Sequence, residues 1–184
     1  MTLSTSGEDS FLVPPTLQTS VLGEALSAGA LPGALILLTG PMGIGKTEWV
    51  RGMARGLGLH DQIKSPTYLY LQEFFPPDGT GGLGLLHADW DRVETGAEDL
   101  EDALLDRRDR RVACVEWGEK LPGQVVASFV AVVHVRMAWE GPCRRIEIGW
   151  KAEPSCLAAL SVWRESFGAQ REDHDSRESS GVGD

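Results

Sequence analysis

Ala34-Leu35-Ile36-Leu37-Leu38-Thr39-Gly40-Pro41-Met42-Gly43-Ile44-Gly45-Lys46-Thr47 begins as an apolar run and ends in a glycine loop closed by a lysine and a hydroxyl. A short apolar run bounded by glycines is what a strand covered on both faces looks like. Beyond the loop, Trp49, Val50, Met53, Ala54 and Leu57 recur at helical spacing, and Gly58 is placed to end the helix. Strand, glycine loop and helix, in that order, are the setting in which Gly-x-x-x-x-Gly-Lys-Ser/Thr binds phosphate. Its glycines let backbone N–H groups converge on phosphate oxygens, and the helix start adds positive potential. The lysine pairs with the outer phosphates and the hydroxyl ligates magnesium. The expected contacts of a triphosphate are therefore Gly40, Gly43, Ile44, Gly45, Lys46 and Thr47, with Glu48 just behind them.

On the N-terminal side, Leu17, Val21, Leu22, Ala25 and Leu26 have helical spacing and stop at Gly29. Phe11-Leu12-Val13, ahead of Pro14-Pro15, reads as a short edge strand, and the polar residues 1–10 read as a flexible terminus. On the C-terminal side, residues 68–75 and 83–87 read as strands around the turn signals of 76–82, an antiparallel pair. Glu98-Asp99 start a helix carrying Leu100, Ala103 and Leu104, with acids near its start and arginines at its end. Val112-Ala113-Cys114-Val115 is an apolar strand closing on Glu116-Trp117. Residues 129–135 and 145–150 form an expected hairpin across Glu140-Gly141-Pro142, residues 155–167 a last helix, and 168–184 a disordered acidic tail. This predicts one α/β domain over 11–167, a P-loop NTPase-like three-layer fold with a mixed central sheet of about seven strands.

Composition bounds the function. A chain of 184 residues, 42% hydrophobic, suits one ordinary domain. Its formal charge of −10 repels phosphate backbones, so any RNA would be held by another protein. Three cysteines without Cys-x-x-Cys spacing argue for a reducing compartment and against zinc or disulfides. With no signal-peptide pattern at Met1 and no apolar run of membrane-spanning length, the expectation is a soluble cytoplasmic protein. The chain has no Asn, which rules out the guanine-reading Asn-Lys-x-Asp of P-loop GTPases.

Magnesium beside a P-loop also needs a carboxylate at the end of a neighbouring strand. Glu116 and Asp89 both qualify, although an acid ending a strand is often merely solvated. Ser65-Pro66-Thr67 lies where nucleotide switches place a hydroxyl near the γ-phosphate, and also reads as an ordinary turn. His87 reads first as a structural histidine. Arg107-Arg108-Asp109-Arg110-Arg111 reads as a solvated helix end, a partner contact or a phosphate sensor.

Taken together, these blocks resemble the bacterial TsaE family of tRNA threonylcarbamoyladenosine biosynthesis proteins. Thr19-Ser20-Val21-Leu22-Gly23 matches its Thr-x-x-Leu-Gly element, followed by the P-loop, Arg51-Gly52 and Leu57-Gly58. Lys64-Ser65-Pro66-Thr67-Tyr68, His87-Ala88-Asp89 with Arg92, and Glu116-Trp117 match its later blocks in order. The resemblance implies an ATP- and Mg2+-dependent ATPase that joins TsaB and TsaD and meets tRNA only through that complex. It also implies that Lys46 binds phosphates, Thr47 and Glu116 serve magnesium, Thr67 and Asp89 belong to the nucleotide-responsive site, and Thr19 lies near the base or ribose. Pro41, Glu48-Trp49 and Trp90-Asp91 depart from the family pattern. Two other classes stay open on the residues alone: a small-molecule P-loop kinase with the arginine cluster as its lid, and a nucleotide-gated scaffold that does not hydrolyse.

Overall fold

The computed structural model of the chain describes residues 5–15, 17–59, 70–77, 81–93, 97–106 and 108–152. Within them the strands are β1 (Thr5–Val13), β2 (Ala34–Thr39), β3 (Leu71–Phe74), β4 (Gly84–Asp89), β5 (Arg111–Glu116), β6 (Ala131–Glu140) and β7 (Cys143–Ala152). The helices are α1 (Thr19–Ser27), α2 (Lys46–Gly56), α3 (Glu98–Leu105) and the single turn α4 (Gly123–Val126). All seven strands form one sheet in the order β1-β7-β6-β2-β5-β4-β3. β2 runs parallel to β5 and β6, and β4 parallel to β5, while β1, β7 and β3 pair antiparallel at the two sides. The mixed α/β sheet is the expected one.

β2 owes its unbroken apolar sequence to burial on both faces. Ala34, Ile36 and Leu38 join Leu22 and Leu26 of α1 and Trp49, Val50 and Met53 of α2 in one core. Leu35 and Leu37 point the other way, into a second core with Leu104 of α3 and Val125 of α4. α1 and α2 pack so closely that a Cβ on Gly52 would overlap the Ser20 backbone oxygen, and one on Gly23 the Trp49 oxygen. α2 stops as expected. Gly58 takes φ +72, its N–H bonds the Arg55 oxygen at 2.9 Å and the next N–H, of Leu59, bonds the Ala54 oxygen at 2.8 Å, a Schellman cap.

Three expectations change. β1 begins at Thr5, so residues 5–10 are a strand rather than part of a flexible terminus. Its polar residues pair through the backbone from Thr5↔Ala152 to Val13↔Arg144, and only Val13 among its described side chains is buried. Both arms of the second hairpin also run further, β6 reaching Glu140 and β7 spanning Cys143–Ala152. Thirdly, Arg111, the last of the arginine cluster, is not part of a solvated helix end, and the described arginines of the cluster do not line the cleft above the glycine loop. Arg111 starts β5 and is buried, its guanidinium meeting the Ala103 and Leu104 oxygens and Glu73. Arg108 reaches the Ser128 oxygen and the Phe129 ring, and Arg110 lies over the Phe75 ring. Arg111 and Glu116 stand at opposite ends of β5, about 17 Å apart at ~3.3 Å per residue. The expected helix at 155–167, the tail at 168–184, Thr67 and Arg107 lie outside the described residues.

Candidate nucleotide site

The carboxyl ends of parallel strands are where open α/β sheets receive ligands. At the end of β2 the chain turns into α2 through Gly40 (φ +136), Gly43 (φ +76) and Gly45 (φ +115), a path that side-chain-bearing residues rarely take. Gly45 is further fixed by Thr19, whose hydroxyl donates to the Gly45 oxygen at 3.1 Å and lies 2.6 Å from where a Cβ would be. The first-turn N–H groups of α2 face out of the loop without intrahelical partners by geometry, the arrangement that attracts anions.

Above the loop opens a cleft of about 580 Å³, lined by Gly43, Gly45, Lys46, Thr47 and Glu48 from the loop and by Asp89 and Glu116 from β4 and β5. Thr19, Gly40 and Ile44 are not part of its lining. Ile44 is fully buried beneath the loop, and Thr19 is buried against Gly45. The lysine is folded inward. Its Nζ donates to the Gly40 oxygen at 2.7 Å and the Pro41 oxygen at 3.0 Å, and lies 4.0 Å from the Trp117 ring centroid. Burial lowers the Lys46 pKa, opposed by the negative charges of Glu116, Glu119, Asp89 and Asp91. Pro41 contributes a carbonyl here, which its missing N–H leaves intact.

Thr47 Oγ1 donates to Glu116 Oε1 at 2.8 Å, bridging the first turn of α2 and the end of β5. Two hard oxygens side by side, next to an ammonium and a glycine loop, are the donor type that magnesium takes when phosphate supplies the rest. Asp89 lies directly opposite Glu116 in the β4–β5 pairing. Burial raises its pKa, offset by the Asp91 N–H bonded to Asp89 Oδ1 at 3.0 Å and reinforced by the Glu116 charge. Glu48, expected near the nucleotide, lies at the cleft wall paired with Arg51 at 2.9 Å.

The structure adds residues absent from the expected site. Met42 is 79% exposed at the tip of the loop, and Arg51, Tyr70, Asp91, Arg92 and Trp117 complete the cleft lining. Trp117 takes φ +56, the only positive value at a non-glycine position among the described residues, which turns its ring toward both Lys46 and Lys120. Lys120 in turn grips Asp91 through its carbonyl and carboxylate, each at 2.6 Å. Trp117 was visible as half of the Glu-Trp block. Asp91 stood out in the sequence only as a departure from the family pattern, and its contact with Lys120 carried no local signal because it spans 29 positions.

The model of the family described as threonylcarbamoyl adenosine biosynthesis protein TsaE matches residues 14–146. The chain belongs to the TsaE family. A TsaE relative from Bacillus subtilis is 32% identical over 121 residues, covering 65% of this chain and 72% of the relative. The Streptomyces coelicolor TsaE protein is 37% identical over 99 residues, which span 53% of this chain and 66% of the relative. The Synechocystis TsaE protein is 33% identical over 121 residues, 61% of this chain and 71% of the relative. The crystal structure of Bacillus subtilis YdiB superposes with a TM-score of 0.54 over 92% of this chain and 98% of that one, at 23% identity, a likeness of fold. TsaE membership places the chain with tRNA threonylcarbamoyladenosine biosynthesis. No described helix is long and apolar enough to cross a membrane.

Proposed function

We propose that this protein binds ATP with magnesium and hydrolyses it as the nucleotide-driven component of the cytoplasmic tRNA threonylcarbamoyladenosine machinery, acting with TsaB and TsaD and reaching tRNA through them. The observation that carries the reading is the 2.8 Å contact of Thr47 with Glu116 beside Lys46, at the mouth of a glycine loop. Lys46 trades the Gly40 and Pro41 oxygens for the outer phosphates, while the loop N–H groups hold the remaining phosphate oxygens. Thr47 and Glu116 would hold magnesium, which neutralises charge developing on the phosphates. Asp89, and Thr67 on the strength of its motif, form the side of the site that responds to the nucleotide.

The described residues supply a cradle and ion-binding oxygens; Arg51 and Arg92 stand at the cleft wall, Arg51 paired to Glu48, and Arg108, Arg110 and Arg111 are engaged elsewhere. Part of the transition-state environment is then left for partners to complete, so the isolated protein turns over slowly and speeds up on assembly. The small-molecule kinase reading loses its lid, since the arginines that would form it stand at the far end of β5.

The test is a steady-state ATPase assay of the pure protein, then of its mixture with TsaB, TsaD and tRNA, with Lys46→Ala beside it. Acceleration on mixing and loss of nucleotide binding in Lys46→Ala are expected. Full activity alone, unchanged by partners, refutes the assembly-dependent mechanism; tight ATP binding without phosphate release in the full mixture leaves a non-hydrolysing scaffold. Wild-type nucleotide affinity in Lys46→Ala refutes the phosphate site itself.

A further inference from the structure

The chemistry above makes no use of His87, a fully buried imidazole on β4 two residues before Asp89. β4 puts His87 and Asp89 on one face, and β5 puts Cys114 and Glu116 on the same face, with His87 opposite Cys114 and Asp89 opposite Glu116. His87 is thus the diagonal neighbour of Glu116, and its Nε2 lies 2.8 Å from Glu116 Oε1. That oxygen also accepts the Thr47 hydroxyl at 2.8 Å. A carboxylate oxygen only accepts, so the imidazole carries a hydrogen on Nε2. Its Nδ1 is buried without a hydrogen-bond partner among the described residues. A buried polar atom left unmet is destabilising. Since Leu85 and Cys114, which share its face of the sheet, are fully buried in the hydrophobic core, strand stability alone favours an apolar residue at position 87.

We infer that His87 is a positioning residue that keeps the Glu116 carboxylate aimed into the cleft once the Thr47 hydroxyl is engaged elsewhere. The inference rests on the proposed function, in which Thr47 and Glu116 both serve the ion. A hydroxyl that turns its lone pairs to a cation no longer holds Glu116 in the same way, and a glutamate has three side-chain torsions to fix. His87 is then the remaining described side chain bonded to it. Cys114, the other neighbour on that face, offers no substitute: burial pushes its thiol far up and its Sγ–H faces Met53 Sδ at 3.6 Å. Side chains that orient a metal-binding carboxylate are worth about 10–100-fold in metal affinity or activity when removed.

The test compares His87→Gln, His87→Asn and His87→Phe. A glutamine amide reaches the place of Nε2, whereas an asparagine amide reaches only that of Nδ1, so the two polar variants separate orientation of Glu116 from mere tolerance of a polar core residue. The readout is the magnesium concentration at which binding of a non-hydrolysable ATP analogue tightens, with analogue affinity in EDTA as the control. His87→Gln is expected close to the parent, and His87→Asn and His87→Phe to need about 10–100-fold more magnesium with unchanged affinity in EDTA. Equal titrations for the parent and all three variants, or Gln no better than Asn, overturn the inference while leaving the proposed function standing. A parent that shows no magnesium-dependent tightening removes both. Should the variants fail to fold, proton NMR of the unaltered protein decides: a protected imidazole Nε2–H is expected both without ligand and with magnesium and the analogue, and its loss on adding them overturns the inference.

Discussion

The ammonium of Lys46 lies 4.0 Å from the centroid of the Trp117 ring, so the charge at the mouth of the glycine loop is held against an aromatic face of the cleft lining.

That contact makes Trp117 a reporter of the loop. A cation over an indole is worth about 0.5–2 kcal/mol, a modest restraint that phosphate oxygens can displace. Binding of ATP should therefore change Trp117 emission. Because the chain has six tryptophans, the signal is assigned by comparison with Trp117→Phe, which should bind ATP within about tenfold of the parent yet lose the change. An identical emission change in Trp117→Phe would show that the ammonium stays where it is.

Glu116→Gln keeps the shape of a residue that is almost fully buried, and removes a negative charge beside Thr47. ATP binding in EDTA should survive, because the loop and Lys46 are untouched. Turnover should fall at least about tenfold and the magnesium requirement rise. A magnesium titration that matches the parent would return Glu116 to a purely structural role.

Asp89 couples site chemistry to stability. Burial raises its pKa in the folded chain, so between the ordinary carboxylate value and the raised one the folded state holds more proton than the unfolded state. Stability due to this group is thus lost as pH rises through that window. Asp89→Asn keeps an oxygen for the Asp91 N–H and carries no charge. It should melt higher than the parent at pH 7, with the advantage fading as pH falls through that window and gone below the ordinary carboxylate value. An advantage that grows on acidification would contradict the burial account.

Gly52 separates packing from helix propensity. Alanine is the better helix former by about 1 kcal/mol, yet its Cβ would overlap the Ser20 backbone, and such overpacking costs about 1–3 kcal/mol. Gly52→Ala should lower Tm by about 2–6 °C. Gly123→Ala, where a Cβ meets nothing within 4 Å, should leave Tm unchanged or raise it. Calorimetry that finds both variants stabilised would mean the two helices can move apart freely.

The P-loop core was readable from sequence because its causes are local. A strand buried on two faces must be apolar throughout, and a loop with three positive-φ positions must be rich in glycine. β1 was readable only at Phe11-Leu12-Val13, since the rest of the strand has no apolar pattern in sequence and is held by a backbone ladder to β7. Trp90 looked like a departure from the family, and the fold shows a core residue, 2% exposed in the cluster under β4 and β5. His87 and Arg111 were hardest to read. Each takes its meaning from a residue on another strand, Glu116 and Glu73, and no pattern along one strand encodes that.

Where α1 and α2 nearly touch, at Gly23 and Gly52, neither helix can slide without the other, and Thr19 ties the head of α1 to Gly45 in the loop. On the proposed function, the two helices would move with the loop as one body when phosphate binds. Substitutions along α1 that meet no nucleotide would still surface in a binding screen, and a ligand seated in the loop would slow hydrogen exchange in a helix it never contacts.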